Sequence, residues 1–198
     1  MKKALIHLKN SDEILASIIT RVGPCQIAYR DPTFEALARS IVFQQLSTKA
    51  ARTIYNRLEE AAGGKITPVA VRDLSIGEMR RAGLSKQKIG YIRDLAEHAL
   101  AGTLDFTRLP GMSDEEIIET LTDIKGIGVW TAQMFLIFSL GRLDIFPHED
   151  LGVRVAIRNL YSLDDLPDKE TSHRIAMLWR PYATVASWYC WRSLEFKD

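Results

Sequence analysis

Leu121-Thr122-Asp123-Ile124-Lys125-Gly126-Ile127-Gly128-Val129-Trp130-Thr131-Ala132 is the stretch on which the reading of this chain turns. One apolar helical pattern ends before it and another begins at Val129, so the segment is a tight connection between two helices. Glycines two positions apart remove side chains that would otherwise block the approach of another backbone. Gly128 stands at the start of the second helix, where unpaired N–H groups and the helix dipole favour an anion. A phosphate fits that description. So does a turn that needs glycine only for its shape, because Gly-x-Gly alone is weakly specific.

The flanks read as helices in both directions. Asp31-Pro32 offers an N-cap followed by proline at the first helical position, with Phe34, Leu37, Ala38 and Ile41 on one apolar face. Gln44-Gln45-Leu46 interrupts, and Ser47 caps a second helix through Ala50, Ile54 and Leu58 that ends at Gly63-Gly64. Thr67-Pro68 repeats the cap-plus-proline device. Ser75 with Glu78 and Ser113 with Glu116 read as capping boxes, and Ser85 opens a longer helix with Ile92, Leu95, Ala96 and Ala99 inward. Val129 to Leu140 is apolar nearly all round, the pattern of a central buried helix. Val153, Ala156, Ile157 and Leu160 mark one further face, and Tyr182, Val185, Ala186 and Tyr189 another. No segment alternates in the manner of a strand bounded by hairpin turns. The expected class is all-α.

Composition narrows the function classes. The chain has 198 residues, 46% of them hydrophobic and 26% charged, the balance of an ordinary globular protein. No apolar run is long enough to span a bilayer, and the apolar stretch after Lys2 and Lys3 is too short for a signal peptide. Cys25 and Cys190 are too few for a structural zinc or an iron–sulfur cluster, and the expected compartment is a reducing cytoplasm. The net charge is only +1. Any contact with nucleic acid must therefore come from locally placed donors and not from a field around the whole molecule.

The run Ile124-Lys125-Gly126-Ile127-Gly128-Val129-Trp130-Thr131-Ala132 resembles the helix-hairpin-helix motif of the base-excision DNA glycosylases, and the resemblance extends from about Asp31 to Arg192. It is nearest to the bacterial alkylpurine (3-methyladenine) glycosylases, without the N-terminal β-domain of some larger members. The resemblance implies two helical lobes flanking a cleft: residues 32–139, ending in the hairpin, and residues 1–31 with 140–198. It implies that the hairpin at Gly126, Ile127, Gly128 and Thr131 grips a DNA phosphate. A monovalent cation, Na+ or K+, would be held by the carbonyls of Thr122, Ile124 and Gly126. No cofactor would be needed for catalysis, and the partner would be double-stranded DNA with damaged bases, met by a monomer.

The family places its catalytic aspartate after the hairpin, at the entrance to a following helix. In Pro147-His148-Glu149-Asp150-Leu151-Gly152 the match picks Asp150, with Glu149 as the competitor one register away and His148 as a possible assistant. Capping alone also predicts an aspartate there. Breaking an N-glycosidic bond builds positive charge on the sugar, which a fixed anion stabilises. Strand-cleaving branches carry a Schiff-base lysine two residues beyond the second glycine. Here that position is Trp130, which cannot form one, so the resemblance implies a monofunctional enzyme.

Trp130 reads either as core or as a wall of the pocket that receives a flipped base. By resemblance Trp191 faces that pocket, Tyr182 and Trp188 pack, and Met134 lies where some relatives have an aromatic. Gln45, or alternatively Leu46, would wedge into the hole left by the flipped nucleotide; read plainly, Gln44-Gln45-Leu46-Ser47 is only a connection between helices. Rival readings are a glycosylase of the same superfamily for mismatched or oxidised bases, and a non-catalytic module that uses the hairpin only to hold phosphate.

Overall fold

The computed structural model describes residues 1–196. In chain order its helices are α1 (Lys2–Ser11), α2 (Glu13–Val22), α3 (Phe34–Phe43), α4 (Thr48–Ala61), α5 (Pro68–Asp73), α6 (Ile76–Ala82), α7 (Lys86–Ala101), α8 (Asp114–Thr122), α9 (Val129–Phe138), α10 (Leu151–Leu160), α11 (Lys169–Ala176) and α12 (Ala183–Ser193), with short 3-10 turns at Leu109–Gly111 and Met177–Trp179. No strand occurs among the described residues. The chain forms two compact units, Arg30–Phe135 and Met1–Tyr29 with the chain from Leu136 on. The division falls inside α9, a few residues before the 139/140 boundary expected from the sequence.

In the unit of residues 30–135, α7 is the central helix and packs on α3, α5 and α6. Its Ile89, Ile92, Leu95 and Ala96 are buried against Leu37, Ile41 and Val71 of the same core. Burying each of the Ile, Leu and Val side chains contributes about 1.5–3 kcal/mol. Side-chain oxygens of Ser47, Thr67, Ser75, Ser85 and Ser113 cap their helices where the sequence places them. Helix α3 differs. It is capped by Thr33, whose side chain accepts from the Ala36 amide, and Asp31-Pro32 lie ahead of it in the approach. The buried face of α4 is Ala51, Tyr55 and Leu58 and not Ala50, because the interior phenol of Tyr55, bonded to Glu35 at 2.7 Å, sets the rotation of the helix.

In the other unit, α12 packs on α2 and α10, and α1 on α2. The N-terminal helices are held by a buried carboxylate. Asp12 closes α1 and caps α2 through the Leu15 amide at 3.0 Å. Its other oxygen accepts from the Trp179 indole at 2.9 Å and from the Tyr161 hydroxyl. A buried charge with three donors is tolerated, whereas breaking such a set costs about 3–5 kcal/mol. Cys25 and Cys190 are free thiols.

Candidate active site

The hairpin between α8 and α9 is shaped by its two glycines in different ways. Gly126 has φ +84°, a left-handed conformation, and a Cβ there would overlap the ring of Tyr91 on α7. At Gly128 a Cβ would meet nothing within 4 Å. The first glycine therefore serves the protein's own packing. The second leaves open space in front of the α9 N-terminus. Ile127 is buried, and its amide closes the turn onto the Ile124 carbonyl at 3.0 Å. Thr131 is also buried, so its side chain faces inward. Of the four expected hairpin residues, Gly128 is the one presented to solvent.

Asp94, on α7, braces the tip of the hairpin. It accepts from the Lys125 amide at 2.8 Å and from the Lys125 ammonium at 2.6 Å. Burial pushes the Asp94 carboxyl up, but these two donors outweigh it and hold it below the usual carboxylate range. Thr122, Ile124 and Gly126 line one groove of about 770 Å³ together with Gln44, Gln45 and Leu46. The Gly126 carbonyl there accepts from the Gln44 side chain at 2.9 Å, and the Ile124 carbonyl from Ile127. A carbonyl oxygen has two lone pairs, so the Gly126 and Ile124 oxygens each keep one beyond these bonds.

Gln45 and Leu46 lie on the connection from α3 to α4, and Leu46 is exposed. Gln45 adopts φ 55°, a left-handed backbone held by a residue other than glycine. Such a conformation costs about 1–2 kcal/mol and persists where the surroundings over-determine it. Trp130, Thr131 and Met134 line a cavity of about 500 Å³ together with Ser40, Phe43, Gln44 and Gln45 itself. Trp130 is 42% exposed. This corrects the expectation of a helix buried all round: Val129 and Trp130 at the start of α9 are at the surface, and the helix enters the core from Thr131. Ser40 and Phe43 were not legible as pocket residues, since on sequence alone they continue the α3 pattern.

The unit that begins again at Leu136 holds the carboxylate. Segment 142–145 is stitched to the start of α12: the Thr184 hydroxyl donates to the Arg142 carbonyl at 2.8 Å and accepts from the Ile145 amide at 3.0 Å. The Arg180 guanidinium binds Asp144 at 2.9 Å. Asp150 then caps α10, its Oδ1 accepting from the Val153 amide at 2.9 Å. The same oxygen accepts from the Trp191 indole at 2.8 Å. Trp191, on α12, stacks on Phe138 with centroids 5.9 Å apart. Gly152 makes room for the pair, because a Cβ there would lie 3.1 Å from both Asp150 Oδ1 and the Trp191 ring. Asp150 thus has both the capping role that its position predicts and a second donor that capping does not require.

Glu149 is solvent-exposed, with the His148 imidazole 3.9 Å away. His148 lies over His173, ring centroids 4.9 Å apart, and burial and that neighbour lower its pKa. Tyr182 packs edge-on against His7, and Trp188 against Tyr189. No helix among the described residues is long and apolar enough to cross a membrane.

Residues 38–181 match the HhH-GPD superfamily of base excision DNA repair proteins. The chain is 36% identical, over its full length and 90% of the relative's, to DNA-3-methyladenine glycosylase 1 of Schizosaccharomyces pombe. It superposes on the crystal structure of a DNA-3-methyladenine glycosidase from Bacillus halodurans with a TM-score of 0.89 and 41% identity, covering 96% of this chain and 88% of that one. On the 3-methyladenine DNA glycosylase of the same yeast, bound to abasic DNA, the TM-score is 0.86 at 37% identity, covering 99% and 98%. With a hairpin built to leave a helix N-terminus open and a carboxylate fixed after it, this chain belongs to the HhH-GPD superfamily of base excision DNA repair proteins.

Proposed function

We infer that the protein is a DNA glycosylase that flips alkylated purines out of duplex DNA and hydrolyses their N-glycosidic bonds. The observation that carries this reading is the Asp150–Trp191 pair, a carboxylate oxygen held by an indole N–H and a helix-start amide in a chain of this superfamily. Relatives named 3-methyladenine glycosylases at 36–41% identity support the substrate class.

The chemistry follows from what the residues can do. As the bond from the sugar C1′ to the base nitrogen lengthens, positive charge develops on the sugar, and the Asp150 carboxylate stabilises it. A water then bonds to C1′ and releases a proton, and a base that was methylated to a cation departs neutral. Trp130, exposed in the first turn of α9, offers an indole face, which attracts a cationic base by about 0.5–2 kcal/mol and stacks on it for about 1–3 kcal/mol. Such a contact needs no hydrogen-bond code. Trp130 stands where a Schiff-base amine would have to be, so the strand stays intact and the site lacks lyase chemistry.

On the DNA backbone, the open N-terminus of α9 at Gly128 takes one phosphate through main-chain amides. Thr122, Ile124 and Gly126 would hold a monovalent cation beside it, adding positive charge to that grip. Gln45, with Leu46 beside it, fills the gap in the stack.

Chromatography of bases released from methylated duplex DNA tests the reading. Release of 3-methyladenine and 7-methylguanine is expected, with little uracil or 8-oxoguanine and with strand breaks only after alkali. Release of uracil or 8-oxoguanine with no methylpurine would overturn the substrate class. A borohydride-trapped covalent adduct would overturn the monofunctional assignment.

A further inference from the structure

The sequence singles out no role for Lys88, yet its ammonium is placed where an exposed lysine would not be. It stands half-buried in the first turn of α7 and donates to the carbonyls of Val42 at 2.6 Å and Gln44 at 2.7 Å. Those oxygens are at the C-terminal end of α3, where helix carbonyls lack partners and a cation is favoured. Many helices end instead on a left-handed glycine. Here the ammonium closes the end of α3, and the residue that turns left-handed immediately afterwards is Gln45.

Two further contacts tie that turn to the hairpin. Gln44, whose carbonyl Lys88 holds, donates its side-chain amide to the Gly126 carbonyl at 2.9 Å. Three residues along α7 from Lys88, the ring of Tyr91 packs where a Gly126 side chain would be. Another three residues on, Asp94 holds Lys125. Residues three apart lie near one another along a helix face, so one side of α7 touches the end of α3 first and the hairpin next.

We propose that Lys88 is a positioning residue for base flipping, setting the Gln45 turn and, through Gln44, locking it in register with the phosphate-gripping hairpin. The proposal rests on the glycosylase reading and deepens it. A bound phosphate and an inserted wedge then share one rigid frame, and the register between them follows from the two Lys88 contacts. Burial lowers the pKa of Lys88, and the two carbonyl acceptors work against that loss of solvent by favouring the ammonium.

The test uses Lys88→Met, which keeps the stem and removes all three donors, and Lys88→Arg, which restores donors at nearly the same reach. A duplex carrying 2-aminopurine beside an abasic-site analogue reports unstacking as a rise in fluorescence. For Lys88→Met, binding to undamaged duplex should stay close to that of the unaltered protein. The fluorescence rise should shrink, and methylpurine excision at saturating protein should fall roughly tenfold or more. Lys88→Arg should recover most of both. An unaltered fluorescence rise with unaltered excision in Lys88→Met overturns the proposal. So does a uniform loss of binding to every duplex that Lys88→Arg fails to rescue, because the lysine then serves only the fold. If Lys88→Met does not fold, Lys88→Gln, which keeps one donor group, is read against the same two outcomes. Should the unaltered protein release no base while still raising the fluorescence, the glycosylase reading fails and the positioning role stands.

Discussion

At the hairpin the groups offered to a ligand are main-chain atoms, whereas at the entrance to α10 the group on offer is a side chain. The hairpin owes its shape to what is missing: no Cβ at Gly126, where Tyr91 needs the space, and none at Gly128, where the space stays open. The α10 entrance owes its shape to donors, since Asp150 Oδ1 is fixed between the Val153 amide and the Trp191 indole. Main-chain amides can grip any phosphate but cannot tell one base from another. A fixed carboxylate can stabilise charge on a sugar but adds repulsion toward the DNA backbone. On the proposed function, a protein of net charge +1 would hold a polyanion with main-chain groups and present its anion on a different element.

The largest effect that should separate the regions is that of Asp150→Asn. Asparagine is as good an N-cap, so the fold is expected to hold while the anion is lost. Excision should fall by about a hundred- to a thousand-fold, and the affinity for duplex should persist. Near-normal activity here with a loss in Glu149→Gln would move the role by one residue.

Gly126→Ala sharpens the comparison from the side of stability. Its Cβ would meet the Tyr91 ring on a left-handed backbone, so unfolding stability should drop by about 2–4 kcal/mol. Denaturant titration measures this, and against a Tyr91→Ala background the same substitution should cost only the backbone part. An unchanged midpoint in the single variant would contradict the packing role.

Gly128→Val should do the opposite of Gly126→Ala. A side chain there enters open space, so the midpoint should hold while affinity for damaged and undamaged duplex falls alike, by about tenfold. The salt dependence should be shallow, because Lys88 and Lys125 beside the hairpin are both engaged by the protein. A steep slope would point to an extended basic footprint elsewhere.

The smallest effect concerns pH and the carboxylate region. Burial lowers the pKa of both His148 and His173, and their mutual contact adds to the shift at His148. Depressed folded values mean that the unfolded chain binds protons first. Stability is therefore fully present above the ordinary histidine value near 6.5 and is lost as pH falls through the folded values. Chemical denaturation between pH 7.5 and 5 measures it, with Glu149, Arg154, Lys169 and Arg180 as the charged neighbours that tune the window. A flat profile would mean that the pair is solvated.

Much of this was legible before any coordinates, and the gaps have physical causes. Five serine and threonine caps in the unit of residues 30–135 announce themselves because capping is local chemistry. Helices α1 and α2 went unread although Asp12 caps α2 locally through Leu15, and the other partners of Asp12, Trp179 and Tyr161, lie more than a hundred residues away. The α4 face was misplaced by one residue because the Tyr55–Glu35 bond lies between helices. At the site, glycine spacing pointed to the hairpin and an aspartate before a helix pointed to Asp150. Lys88, Gly152, Phe43 and Ser40 carry no local signature. Their roles come from partners distant in sequence, and only packing brings those partners together.

The division of labour is tested most directly by single-turnover excision from a methylated duplex as the protein concentration is raised, with Gly128→Val and Asp150→Asn run side by side. If the hairpin only holds DNA and the carboxylate acts on the bond, saturation should return Gly128→Val to nearly the rate of the unaltered protein. Asp150→Asn should bind at ordinary concentrations and stay slow at every one. A Gly128→Val rate that remains depressed at saturation, or an Asp150→Asn rate that recovers with added protein, would contradict the account.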